Sequence, residues 1–225
     1  MNKINAALIH LTISVFLIGI FALIVFYVWY PYPFTNLASV TEPLYLLITV
    51  DVIIGPLLTF IIYKKGKKHL ILDLTVIGVL QIIAFIYGIY IINQGRPTIV
   101  VFHKGEFHYL SKKYANHNEL KYDNLKPHIF SSPKLAYISK TNAKDIYNAY
   151  GDMQPLDDFE TMLLPHSLNV DNLTTLNPII ENVIENIDVK FIDEEIVYFL
   201  LTKNKVKYIV VYSVTQNNIV DYLEF

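Results

Sequence analysis

The stretch from Pro43 to Ile92, PLYLLITVDVIIGPLLTFIIYKKGKKHLILDLTVIGVLQIIAFIYGIYII, holds two long apolar runs joined by Lys64-Lys65-Gly66-Lys67-Lys68-His69. At ~1.5 Å of helical rise per residue, each run is long enough to cross ~30 Å of hydrocarbon. They read as membrane spans over about 43–63 and 70–92. The polar stretch between them is too short for anything but a tight hairpin, and its four lysines place it in the cytoplasm. On the other side of the second span, Tyr30 to Glu42 carries neither Lys nor Arg, which fits the opposite face of the membrane.

Upstream, a third apolar run covers about 6–29, with His10, Thr12 and Ser14 as its polar interruptions. It is longer than the ~7–15 residues of a signal peptide's apolar region. It ends in Trp29-Tyr30-Pro31-Tyr32-Pro33, an interfacial aromatic belt followed by helix-breaking prolines. It therefore reads as an anchor, with Lys3 and the N-terminus in the cytoplasm. Three crossings deliver the chain after Gln94 to the far side. The sequence thus predicts a membrane protein: a three-helix transmembrane bundle over 1–95, followed by a small α+β domain with an antiparallel sheet over 96–225, in the periplasm.

Composition agrees. Mean hydropathy is +0.38 with 53% hydrophobic residues, and the excess is blocked ahead of Arg96 rather than spread along the chain. A net charge of −2 with one short lysine cluster makes no footprint for nucleic acid. The absence of cysteine removes disulfides, thiolate catalysis and Cys-ligated metals.

Arg96-Pro97 closes the third span. Thr98–His103 and Glu106–Leu110, around Lys104-Gly105, read as a β-hairpin. Thr141–Tyr150 and Asp157–Leu164 read as helical. Asn177-Pro178 opens another helix, with an N-cap, proline at the first turn and an apolar stripe from Ile179 to Ile187. Ile196–Leu201, Val206–Val214 and Ile219–Leu223 are three β-rich runs separated by short polar turns, hence an antiparallel meander.

Asp51 and Asp73 are the most informative polar residues, since a carboxylate within hydrocarbon is costly and marks function by default. A membrane aspartyl protease is disfavoured by depth. Counting ~1.5 Å per residue from the hairpin, Asp51 lies roughly 20 Å in and Asp73 about 5 Å, whereas a dyad shares a proton at about 3 Å. A Gly-x-Gly-Asp signature is also missing. Asp73 reads as an N-cap or first-turn carboxylate. Asp51 either accepts a hydrogen bond from Gln81 or Tyr87 or faces a partner helix. Gly55-Pro56 frees a backbone carbonyl and bends the second span. Ala84 and Gly88 form a small-x-x-x-small pair that serves either packing within the bundle or docking of an outside helix. The histidines after the membrane are scattered; His103 and His108, five apart, would face opposite ways on one strand. No catalytic motif, metal-ligand spacing or phosphate loop is present, so neither an enzyme nor a cofactor is expected.

Trp29-Tyr30-Pro31-x-Pro33, then Leu46-Leu47-x-x-Val50-Asp51-Val52-x-x-Gly55-Pro56-Leu57-Leu58-Thr59, resemble the type IV pilin accessory proteins of the TfpX/TfpZ family. The likeness continues through Lys67-Lys68-x-x-x-x-Asp73-Leu74, Gln81, Tyr87-Gly88 and Arg96-Pro97-x-x-x-Val101-Phe102, and ends at Tyr198-Phe199-Leu200-Leu201. The region 112–189 carries none of it. The resemblance implies a bacterial inner-membrane factor without catalysis, made alongside a major type IV pilin and helping it assemble. Its partners would be the pilin's transmembrane helix and periplasmic head, with membrane lipid around the bundle. The alternatives are a membrane enzyme that modifies or processes pilin, and a sensor of a periplasmic ligand. The sensor is disfavoured because only a short tail and the hairpin are expected in the cytoplasm.

Overall fold

The computed structural model describes residues 2–103, 106–138, 146, 149–156, 196–203, 206–213 and 218–224. It divides into two compact units, Met1–Arg96 and Pro97–Phe225.

The first unit contains three helices long and apolar enough to cross a bilayer: Lys3–Trp29, Thr41–Ile62 and Leu70–Gly95. The first begins at Asn2, whose side-chain oxygen accepts the Asn5 N–H at 2.8 Å and so satisfies one of the free donors of the opening turn. Its last turn, Val25–Trp29, widens to π geometry, and the Tyr30 N–H bonds back to the Val25 carbonyl at 2.7 Å. A short helix, Phe34–Leu37, precedes the second span. The second span is also π-wound over Thr49–Ile54, with the Gly55 N–H reaching the Val50 carbonyl. Pro56 has no N–H to give to the preceding turn, and the wider winding lies directly ahead of it. Ile18, Phe21, Val25, Trp29, Tyr30, Leu44, Leu47 and Ile92 form the buried centre of this unit. Isoleucines and leucines cover its outside, among them Ile71, Ile82, Ile83 and Ile86.

The second unit is a seven-stranded sheet of order β4-β3-β1-β2-β5-β6-β7. The strands are β1 (Pro97–His103), β2 (Glu106–Ser111), β3 (Lys134–Ile138), β4 (Met153–Pro155), β5 (Ile196–Lys203), β6 (Val206–Ser213) and β7 (Asn218–Glu224). The hairpin β1–β2 and the meander β5–β6–β7 are antiparallel, as their local spacing predicts. β1–β3 and β2–β5 are parallel, so the sheet is mixed. β3 and β4 went unpredicted. Ile99, Val101, Leu110, Ala136, Ile138 and Met153 pack with Leu120, Leu125 and Tyr150 into the core of this unit. The predicted helices around 141–150, 157–164 and 177–187 fall mostly or wholly outside the described residues, as do the predicted turn residues Lys104 and Gly105.

One expectation is corrected by the register. Val101 faces His108 and His103 faces Glu106 across the hairpin. Residues directly opposite share a face, so His103 and His108 point the same way, on adjacent strands rather than along one strand. Among the described residues, no three His, Asp or Glu gather as a metal ion requires.

Candidate functional site: a crevice among the spans

The first span presents Ala6, His10 and Ser14 at intervals of four, and hence on one face. The second span turns Asp51, Gly55, Pro56 and Thr59 inward; all four are buried. The third contributes Leu74, Gly78, Gln81 and Phe85. Between these faces lies a crevice of about 430 Å³. Its rim is apolar and half-exposed, through Ile9, Ile13, Leu17 and Ile82.

The polar groups in it divide into two sets. Near the hairpin end, His10 Nδ1 and Thr59 Oγ1 lie 2.7 Å apart and link the first span to the second. At mid-span, about 15 Å from either end of its helix at 1.5 Å per residue, Asp51 is only 5% exposed. Its Oδ2 has no hydrogen-bond partner among the described residues, and the same holds for both ends of the Gln81 amide. Gln81 lies against the second span one turn from Asp51, where a Cβ on Gly55 would overlap its amide nitrogen. Gly55 is therefore the residue that gives Gln81 its place. A buried hydrogen-bonding group left without a partner costs about 1–3 kcal/mol. A carboxyl and a carboxamide lining one cavity in that state form a receptor for hydrogen-bonding groups. Ser14 and Thr59 add hydroxyls to the same lining.

The other predicted residues lie elsewhere. Asp73 is in the first turn of the third span and pairs with Lys67 at 2.5 Å. It does not line the crevice with Asp51. Gly88 lies against the second span, where a Cβ would come within 2.6 Å of Leu47 Cδ1. Ala84, one turn earlier, is half-buried. Tyr87 is 64% exposed on the outside of the third span. Arg96 ends that span with its guanidinium 5.3 Å from the Trp29 ring centroid. Burial lowers its pKa, with Tyr30 acting the other way. Tyr30 donates its hydroxyl to the Ile92 carbonyl at 2.6 Å, and a side chain at Gly95 would crowd that oxygen. Pro97, the other half of the predicted junction, is buried at the start of β1. His10, Ser14 and Thr59 were missed as site residues. The spacing of four from Ala6 through His10 to Ser14 was the signal that could have found the first two.

Comparison with known proteins gives a consistent picture. The family model described as Fimbrial assembly protein FimB matches residues 1–39. The chain is 39% identical over 106 residues to the fimbrial assembly protein of serogroups C1 and C2 from Dichelobacter nodosus, covering 46% of this chain and 81% of that one. It is equally similar over the same length to the fimbrial assembly proteins of serogroup I and serogroup E1 from the same organism, of which it covers 41% each. The chain thus spans about two fifths of those two relatives. No solved structure matches.

Proposed function

Because this chain belongs to the fimbrial assembly protein family, we propose that it is a non-catalytic accessory factor that binds type IV pilin subunits in the bacterial inner membrane and promotes their assembly. The observation that carries the reading is the crevice: a cavity among three apolar helices, lined by the Asp51 carboxyl and the Gln81 amide, whose polar atoms lack hydrogen-bond partners among the described residues. Such groups are placed to receive a hydrogen-bonding partner. The TfpX/TfpZ resemblance of the segments around Trp29, Asp51-Val52, Gly55-Pro56 and Arg96-Pro97 narrows the fimbria to a type IV pilus. The lysine hairpin would lie in the cytoplasm and the sheet unit in the periplasm. There the bundle would meet the pilin's transmembrane helix while the sheet unit reads its head. Two weak contacts between membrane-tethered partners reinforce one another through effective concentration.

Deletion of the gene followed by counting of surface pili tests this, together with co-precipitation of the cognate pilin from solubilised membranes. Loss of pili and recovery of pilin with the chain are expected. Unchanged piliation, or a pilin that never co-precipitates, would sink the proposal.

A further inference from the structure

We propose that the crevice is the receptor for a single transmembrane helix of another protein, one that carries a hydrogen-bond donor at mid-membrane depth, with Asp51 as acceptor and Gln81 as second contact. This rests on the reading above, in which the pilin subunit supplies that helix. Three observations lead to it.

The first is the state of Asp51. The carboxyl is 95% buried, since only 5% of the residue is exposed, yet Oδ2 meets no donor among the described residues. Hydrocarbon has no water to fill that need, so an incoming N–H or O–H gains a hydrogen bond that the empty crevice lacks. The neighbouring Gln81 amide offers a donor and an acceptor at the same depth.

The second is shape. The lining runs from Ala6 to Ile18 on the first span and from Leu74 to Phe85 on the third. At 1.5 Å per residue that is about three helical turns, roughly 16–18 Å. This is the length of a helix face and far longer than one small polar group. A lipid chain would fill the groove but has no donor for Asp51.

The third is what a second copy of this chain could offer. At the depth of Asp51 its exposed side chains are apolar, including Val79, Ile82 and Ile83. The hydroxyls of Thr12 and Thr49 already donate to their own helices, to the Leu8 and Tyr45 carbonyls at 2.9 Å each. The exposed hydroxyls of the third span, on Thr75 and Tyr87, are seven and five residues from Ile82, at least ~8 Å along the helix from that depth, so a donor level with Asp51 is better supplied by a different helix.

The test uses the full chain in cells making the cognate pilin, with a photo-crosslinking side chain at Ile13 on the crevice rim or at Ile83 on the outer face of the third span. A pilin adduct identified by mass is expected at Ile13 and not at Ile83. Asp51→Leu should lower its yield about three- to tenfold, the range of an interhelical polar contact. Gln81→Leu should lower it in the same direction, whereas Asp51→Asn, which keeps an acceptor, should retain most of it. Chain abundance in the membrane is measured alongside, and the Gln81→Leu result decides should the Asp51→Leu chain fail to accumulate. Equal adducts at both positions, or a yield indifferent to both leucine variants, would overturn the assignment. Lipid adducts alone at Ile13, with pilin still co-precipitating, would remove the crevice proposal and leave the assembly role standing. Failure of pilin to co-precipitate at all would remove both.

Discussion

In the sheet unit, tyrosine hydroxyls taken out of water are given acceptors: Tyr150 donates to the Tyr114 carbonyl at 2.7 Å, Tyr137 to Gln154 Oε1 at 2.7 Å and Tyr208 to Glu224 Oε2 at 3.0 Å. The same economy holds at the ends of the span unit, where Tyr30 bonds the Ile92 carbonyl and His10 meets Thr59. It fails at the centre of the spans, where Asp51 Oδ2 and the Gln81 amide have no hydrogen-bond partner among the described residues and the surrounding medium supplies no water. The contrast separates polar groups that hold the fold from polar groups left over by it. In the first class a substitution should cost stability. In the second it should cost binding.

Large effects come first, and both come from packing. Ile138 is fully buried between Leu125 and Met153, so Ile138→Ala should destabilise the sheet unit by about 2–5 kcal/mol, read from amide hydrogen exchange of β1, β3 and β4. In the span unit the counterpart is overpacking. Gly88→Leu drives a side chain into Leu47 and should cost about 1–3 kcal/mol. The chain has a single tryptophan, Trp29, packed edge-on against Phe21 at 5.7 Å, so its emission reports unfolding of this unit alone. A Gly88→Leu chain with an unshifted Trp29 transition would show that the two spans do not meet there.

Asp51 gives the sharpest form of the contrast, because the expected sign is reversed. Removing an unsatisfied buried carboxyl and filling its place with an apolar side chain relieves a desolvation cost. Asp51→Leu should therefore raise the Trp29 unfolding midpoint, by an amount equivalent to about 1 kcal/mol, while surface piliation falls. Destabilisation instead would mean that Asp51 holds the bundle together.

How far these features can be read from the chain depends on how local their causes are. Three spans are legible because each is decided by its own run of apolar residues. The helices overrun the expected limits at Lys3 and Gly95, positions where polar residues can reach the interface. The antiparallel pairs are legible because short connections force them. The parallel neighbours β1–β3 and β2–β5 are not, since each depends on a long crossover, and β4 is only three residues long. In the site, Asp51 and Gln81 stand out as polar residues in apolar runs. The seat that Gly55 makes for Gln81 is not visible there, because it depends on a neighbouring helix.

Among satisfied groups the effects should be smaller and of ordinary sign. Tyr150→Phe leaves the buried ring in place but deprives the Tyr114 carbonyl of its donor, and should cost about 0.5–1.5 kcal/mol by hydrogen exchange of β4.

The smallest expected effect is a pH dependence in β2, where Glu106 and His108 lie 3.8 Å apart and are each about one-third exposed. Burial lowers the His108 pKa below its ordinary 6.5 and raises that of Glu106 above 4.5. The folded sheet therefore holds the His108 proton less well than the unfolded chain does. That contribution to stability is present above pH 6.5 and lost as pH falls through the depressed value. Glu106 acts in the opposite sense: its contribution is present below pH 4.5 and lost as pH rises through the raised value. Solvent screening keeps both slopes shallow. Between pH 7 and 5.5 the sheet's unfolding midpoint should drift down. His108→Gln should flatten the drift, and Glu106→Gln, which removes the opposing term and the partner of a charged imidazole, should steepen it. Identical slopes in all three chains would place the acid sensitivity of this unit outside the β2 pair.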